Sequence, residues 1–204
     1  MKLRTLQLLL FVLCLITSTI QPLSAMEQKR FIPAGFQLYY GSDPQVLDQL
    51  QQRIQPGQVI VIELRGLSPA QIQKLADQAH QEKAKLIAYL SVGELGQIEY
   101  QNFQQYLQQH ATQISLADLT LSKNEMFQSW HMDVSQPAWR DFLIQRVKQI
   151  YQQPVDGLFL DTVDTVDFYI TNQAWKIPRR VQSVKAMVAL IREIKAVSPE
   201  KFIL

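Results

Sequence analysis

Five acids stand where apolar runs give out. Glu63 closes Val59-Ile60-Val61-Ile62, Glu94 follows Leu86–Gly93, Asp133 ends Trp130-His131-Met132, and Asp161 follows Leu158-Phe159-Leu160 with Asp164 one short turn later. Carboxyl groups gathered at one opening suit glycosidic bond cleavage: one protonates the departing oxygen, and another attacks the anomeric carbon or activates water. Competing chemistries are poorly supplied. His80 and His110 fall in helical segments without a ligand-spaced partner, and His131 lies inside a strand-like run. With no His-Glu-x-x-His or similar cluster, neither a metal site nor a cofactor is expected. Ser91 and Ser135 lack the Gly-x-Ser-x-Gly elbow of a serine hydrolase.

Among the acids Asp161 carries the strongest reading, since an apolar run directly before it buries its backbone while its carboxyl reaches the surface. Its alternative role is a helix N-cap, and the same choice stands for Asp164. Glu94 lies between Gly93 and Gly96, where the backbone can bend closely round a ligand. Glu63 and Asp133 could instead pair with Arg65 and Lys123. Asp156 precedes its apolar run and is expected to be structural. Tyr39, Tyr40, Tyr169 and Trp175 fall near the same ends and could stack on sugar faces or simply close the core.

The elements that must position these acids alternate. Strand-like runs at 36–40, 59–63, 86–91, 130–133, 155–161 and 202–204 are separated by helical periods over 44–54, 68–83, 100–109, 137–152 and 179–197. Runs that are apolar on both faces and each followed by a helix predict a parallel sheet covered by helices. The spacing averages about 33 residues, against about 31 for an eight-unit barrel of roughly 250 residues. An α/β TIM-type (β/α)8 barrel is therefore predicted, incomplete, with about five βα units and the start of a sixth strand. In such barrels the chemistry sits at the carboxyl ends of the strands, where these acids fall. A doubly wound open sheet fits the alternation less well, because no glycine-rich phosphate loop follows the first run.

Composition narrows the partners. Residues 1–25 carry Lys2 and Arg4, an apolar run from Leu6 to Ile20, and then Gln21-Pro22-Leu23-Ser24-Ala25. That order reads as a secretory signal, with a run short of the about 20 residues of a membrane span. Leu13 stands before Cys14 where a lipoprotein signal would have Gly or Ala. The expected domain is 26–204, secreted or periplasmic, with no membrane association after signal cleavage. The whole chain has 20 basic and 18 acidic residues; without Lys2 and Arg4 the charges balance, and nucleic-acid binding is disfavoured. Cys14 is the only cysteine, so disulfides and thiolate chemistry are excluded from the mature part. A hydrophobic content of 47% supports one core. Oligomeric state is not readable.

Four blocks make a more specific pattern: Tyr39-Tyr40-Gly41, Ile87-Ala88-Tyr89-Leu90-Ser91-Val92-Gly93-Glu94, Asp133–Arg140 and Asp156-Gly157-Leu158-Phe159-Leu160-Asp161-Thr162-Val163-Asp164. Together they resemble glycoside hydrolase family 114, the endo-α-1,4-polygalactosaminidase-like TIM barrels. The resemblance implies cleavage of α-1,4-linked, galactosamine-rich polysaccharide, with Asp161 as one catalytic carboxylate. It also implies Glu94, Asp133 and Asp164 around the substrate, whose amines suit an acidic mouth; Tyr40 and Glu63 are expected to join them from the ends of the first two strands. In the family a second catalytic glutamate follows the sixth strand, which corresponds here to the run at 202–204, so that partner is not among these residues. The alternative expectation is a non-catalytic polysaccharide-binding or accessory protein, or an inactive remnant lacking the second acid.

Overall fold

The computed structural model describes residues 31–110, 113–171 and 177–204. The signal expected at 1–25, with Cys14, lies outside them, as does Trp175. Residues Pro33–Leu204 form one compact unit.

Its frame is a five-stranded parallel sheet in the order β1 (Gly35–Tyr39), β2 (Gln58–Ile62), β3 (Lys85–Ser91), β7 (Gly157–Asp161) and β8 (Phe202–Ile203). Helix α1 (Pro44–Gln52) links β1 to β2, and α2 (Pro69–Gln81) links β2 to β3. Both helices start on signals carried by the sequence. The Asp43 carboxylate accepts the amides of Gln45 and Val46, and Ser68 with Gln71 forms a capping box ahead of Pro69. Between β7 and β8 run α6 (Thr165–Thr171) and the long α7 (Ile177–Val197).

The segment between β3 and β7 corrects one expectation. It contains β4 (Glu94–Gly96), α3 (Gln97–His110), α4 (Leu116–Leu119), β5 (Thr120–Asn124), β6 (Ser129–Met132) and α5 (Pro137–Ile150). The run at 130–133 was expected as the fourth parallel strand. It belongs instead to a separate antiparallel sheet of order β4-β6-β5, and β3 pairs directly with β7. The parallel sheet thus holds four βα units and a fifth strand, Phe202–Ile203, rather than five units and a sixth. A short apolar run fixes extended backbone but not its direction, and the average spacing concealed a hairpin insertion.

The main core lies between the sheet and its helices. Ile60, Ile62, Leu86, Ala88 and Leu158 project from one face of the sheet and meet Leu75, Ala76, Trp139, Leu143, Val147 and Leu190 from the helices. At the amino end of the sheet, Asp156 accepts hydrogen bonds from the Leu86 amide, Lys85 and His80. That carboxylate ties β3, α2 and the entry to β7 together at the end opposite the acids of interest.

Candidate functional site

Pairing register decides which side chains meet. Tyr39 lies opposite Ile62, Ile62 opposite Ala88, and Ser91 opposite Asp161. Residues paired across a sheet share a face, and successive residues alternate. Continuing the register by one residue therefore places Tyr40, Glu63, Tyr89, Ser91 and Asp161 on the face opposite the helix-packed Ile62, Ala88 and Leu160. These groups crowd the carboxyl ends of the strands, where they line a cleft of about 550 Å³ together with Glu94 and Asp164.

Asp161 ends β7 and is held through both carboxylate oxygens. The Tyr89 hydroxyl donates to Oδ2 at 2.7 Å, and the Thr162 amide donates to Oδ1 at 2.8 Å. Asp161 does not cap the next helix. These two contacts, one on each oxygen, fix the orientation of the carboxyl group. Tyr89 is correspondingly a firm proton holder: burial pushes its hydroxyl up, and the hydrogen bond to Asp161 adds to the shift. The Tyr40 ring meets that of Tyr89 edge-on at 4.8 Å. Its own hydroxyl is raised by burial first and by the charges of Asp161 and Glu63 after that.

The tips of β3 and β7 are locked together beside Asp161. Val92 donates its amide to the Asp161 carbonyl at 3.0 Å. Gly93 donates to Thr162 Oγ1 at 2.8 Å, while that hydroxyl donates to the Asp161 carbonyl at 2.6 Å. Ser91 Oγ lies 2.9 Å from both Thr162 Oγ1 and the Glu94 carbonyl. Thr162 adopts φ 61°, a left-handed conformation that costs a β-branched residue about 1–3 kcal/mol. Its hydroxyl contacts offset that cost. Gly93 has to be glycine here, because a Cβ would sit 2.1 Å from the Thr162 carbonyl oxygen.

Glu94 begins the antiparallel sheet, which supplies its partners. Ser129 Oγ donates to Oε2 at 2.5 Å, Asn124 reaches both oxygens at 3.2 and 3.4 Å, and His131 Nε2 lies 3.1 Å from Oε1. His131 Nδ1 is in turn 2.9 Å from Ser122 Oγ. Glu63 pairs with Arg65 at 2.5 Å and accepts its amide at 3.0 Å. Asp164 lines the cleft with an exposed side chain.

Asp133 is not among the residues lining this cleft. Its Oδ1 accepts from the amide and hydroxyl of Ser135, closing the turn into α5, and Arg179 rather than Lys123 lies 3.6 Å from Oδ2. Tyr39 packs on the core, and the Tyr169 side chain is outside the described residues. Several cleft contributors were not singled out from sequence. Tyr89, Thr162, Asn124 and Ser129 are bonded to the acids or to their backbone, and Phe127 lines the cleft while 72% exposed. Tyr89 was the most legible of these, lying two residues before Ser91 on the strand face that carries Asp161.

Charge follows from this inventory. Five carboxylates line the cleft against Arg65 and Arg146. Arg65 is matched by Glu63 and Arg146 by Glu99 at 2.8 Å, so Glu94, Asp161 and Asp164 set a negative potential at the mouth. No group of three or more metal-ligating side chains occurs among the described residues.

A family model for glycoside hydrolase family GH114 matches residues 24–201. The chain belongs to this family. Among solved structures it is similar to the glycoside hydrolase domain of PelA from Pseudomonas aeruginosa, with 25% identity and a TM-score of 0.62 over 84% of this chain and 59% of that one. It also resembles Aspergillus fumigatus Ega3, solved in complex with galactosamine, at 14% identity and a TM-score of 0.54 over 87% of this chain and 61% of that one. Eubacterium rectale Amy13B shares the fold at 11% identity and a TM-score of 0.56, covering 83% and 43%. This GH114 chain thus spans about three fifths of the length of the first two. Its open parallel sheet, covered by helices, is an incomplete barrel of the TIM type. No curated protein matches the sequence significantly. Among the described residues no helix is long and apolar enough to cross a membrane.

Proposed function

We propose that this GH114 chain binds galactosamine-rich, α-1,4-linked polysaccharide in the acidic cleft and takes part in its hydrolysis, with Asp161 as one catalytic carboxylate. The observation that carries the reading is Asp161 at the end of a parallel strand, each carboxylate oxygen fixed by a separate donor. Held in this way, it is suited to the anionic half of a carboxylate pair, which faces the positive charge that develops at the anomeric carbon. Protonation of the departing oxygen needs a different carboxyl group.

The remaining residues hold the sugar. Glu94, supported by Asn124, Ser129 and His131, offers a rigid carboxylate to a substrate ammonium, and Asp164 offers an exposed one. Tyr40 and the exposed Phe127 present rings to sugar faces. The protein acts outside the cytoplasm on this reading, after loss of residues 1–25.

The test is binding and cleavage of a partially deacetylated α-1,4-galactosaminan, followed by calorimetry and by release of reducing ends. Wild-type protein should bind the cationic polymer more weakly as salt rises, and Asp161→Asn should abolish any cleavage. Full-rate cleavage by Asp161→Asn, or absence of binding by the wild type, would overturn the assignment. Binding without turnover by the wild type would favour the accessory reading.

A further inference from the structure

A second concavity lies between α3 and α5, on the helical layer outside the sheet. Its volume is about 300 Å³, at the small end of ligand sites. The walls are mostly carboxamides. Gln105 and Gln109 come from α3, and Gln145 and Gln149 from α5, with Tyr106 and Arg146 between them. The α3 residues sit at helical spacings of three and four, so they form one ridge facing the α5 ridge.

Three properties distinguish this groove from an ordinary polar surface. First, the carboxamides of Gln105, Gln109 and Gln145 make no hydrogen bond among the described residues, which leaves three donor and acceptor pairs pointing outward. Second, Tyr106 and the buried Phe142 contribute an aromatic floor, their rings 5.5 Å apart at 61°. Third, Arg146 bridges to the main cleft. It bonds Gln149 in the groove at 2.6 Å and Glu99 in the cleft at 2.8 Å, while its Nε is buried without a partner among the described residues. Phe142 and Arg146 line both concavities.

The chemistry differs between the two. The cleft is acidic and selects an ammonium. The groove has no carboxylate in its lining, and its one guanidinium is already neutralised by Glu99. Paired amide donors and acceptors beside an aromatic ring match the hydroxyl and acetamido groups of a neutral sugar. We infer that the groove between α3 and α5 is an accessory site for N-acetylated hexosamine units of the same polymer whose free amines enter the cleft. This inference rests on the polysaccharide reading above for its choice of sugar, but not for the existence of the site.

The experiment uses fully N-acetylated and fully deacetylated α-1,4-galactosamine oligosaccharides as separate probes, with binding followed by calorimetry and by saturation-transfer NMR. The Gln105→Ala/Gln109→Ala/Gln145→Ala variant changes exposed side chains only, and its thermal unfolding serves as the folding control. It should bind the acetylated probe at least tenfold more weakly than wild type. Acetylated probe that fails to bind wild type, or that binds the triple variant undiminished, would overturn the groove assignment. If the deacetylated probe fails to enter the cleft while the triple variant still loses the acetylated one, the cleft reading falls and the groove stands.

Discussion

Replacing Gly93 by alanine tests how closely the tips of β3 and β7 must approach to hold Asp161 in place. The new methyl group would lie 2.1 Å from the Thr162 carbonyl oxygen and 2.4 Å from Thr165 Oγ1. The first neighbour is backbone and cannot rotate away. Overpacking of this kind costs about 1–3 kcal/mol. Separating the tips also strains the bonds from Gly93 to Thr162 and from Val92 to Asp161, each contributing about 0.5–1.5 kcal/mol. The sum centres on about 4 kcal/mol, equivalent to a Tm lower by about 8–16 °C for a domain of this size. Because displacements near 1 Å can cost about a hundredfold in rate, ligand binding or cleavage at the cleft should fall at least that far. Gly96→Ala is the control, since a Cβ there meets nothing within 4 Å, and its Tm should stay within about 2 °C of wild type. Calorimetric unfolding of the three proteins decides the matter. A Gly93→Ala protein as stable as Gly96→Ala would refute the proposed interlock.

Other outcomes follow from single contacts. Tyr89→Phe removes one of the two donors to Asp161, and loss of a bond to a charged acceptor costs about 1.5–3 kcal/mol; kcat/KM should fall tenfold to hundredfold, and an unchanged value would show that the phenol does not position the carboxylate. Phe127→Ala should weaken polysaccharide binding several-fold, because the ring faces the cleft and is mostly exposed, with Tm unmoved; equal affinity would remove Phe127 from the binding surface. Tyr151, at the end of α5, has a buried hydroxyl without a hydrogen-bond partner among the described residues, pushed up to about 12 by burial and then by Glu200. The folded state therefore retains that proton when the unfolded chain has lost it, so stability present below pH 10 is lost as pH rises toward 12. Tyr151→Phe should flatten this alkaline decline, as read by denaturant unfolding between pH 9 and 11, and an unaltered slope would contradict the assignment.

Much of the frame was readable because it depends on local pattern. The capped helices at Pro44 and Ser68-Pro69 and the aliphatic runs at Val59–Ile62 and Leu86–Ser91 form where side-chain periodicity and cap chemistry place them. Asp161 was placed at a strand end for the same reason. What escaped depends on partners distant in sequence. Trp130-His131-Met132 is equally strand-like in a parallel sheet or a hairpin, and only its pairing with Glu94–Gly96 decides. The support that Asn124 and Ser129 give Glu94 exists because that hairpin folds back over the carboxylate. The left-handed turn at Thr162 has no signal in a threonine codon, since glycine or asparagine would be the usual residue there. Asp133 shows the opposite case: its position after an apolar run suggested the rim, yet its own Ser135 neighbour captures the carboxylate locally.

The most direct measurement is a crystal structure of Asp161→Asn with a partially deacetylated α-1,4-galactosamine oligosaccharide. The account predicts the sugar chain in the cleft, with an anomeric carbon beside residue 161 and an amine within hydrogen-bond reach of Glu94. Oligosaccharide bound away from both residues, with the cleft left to solvent, would contradict it.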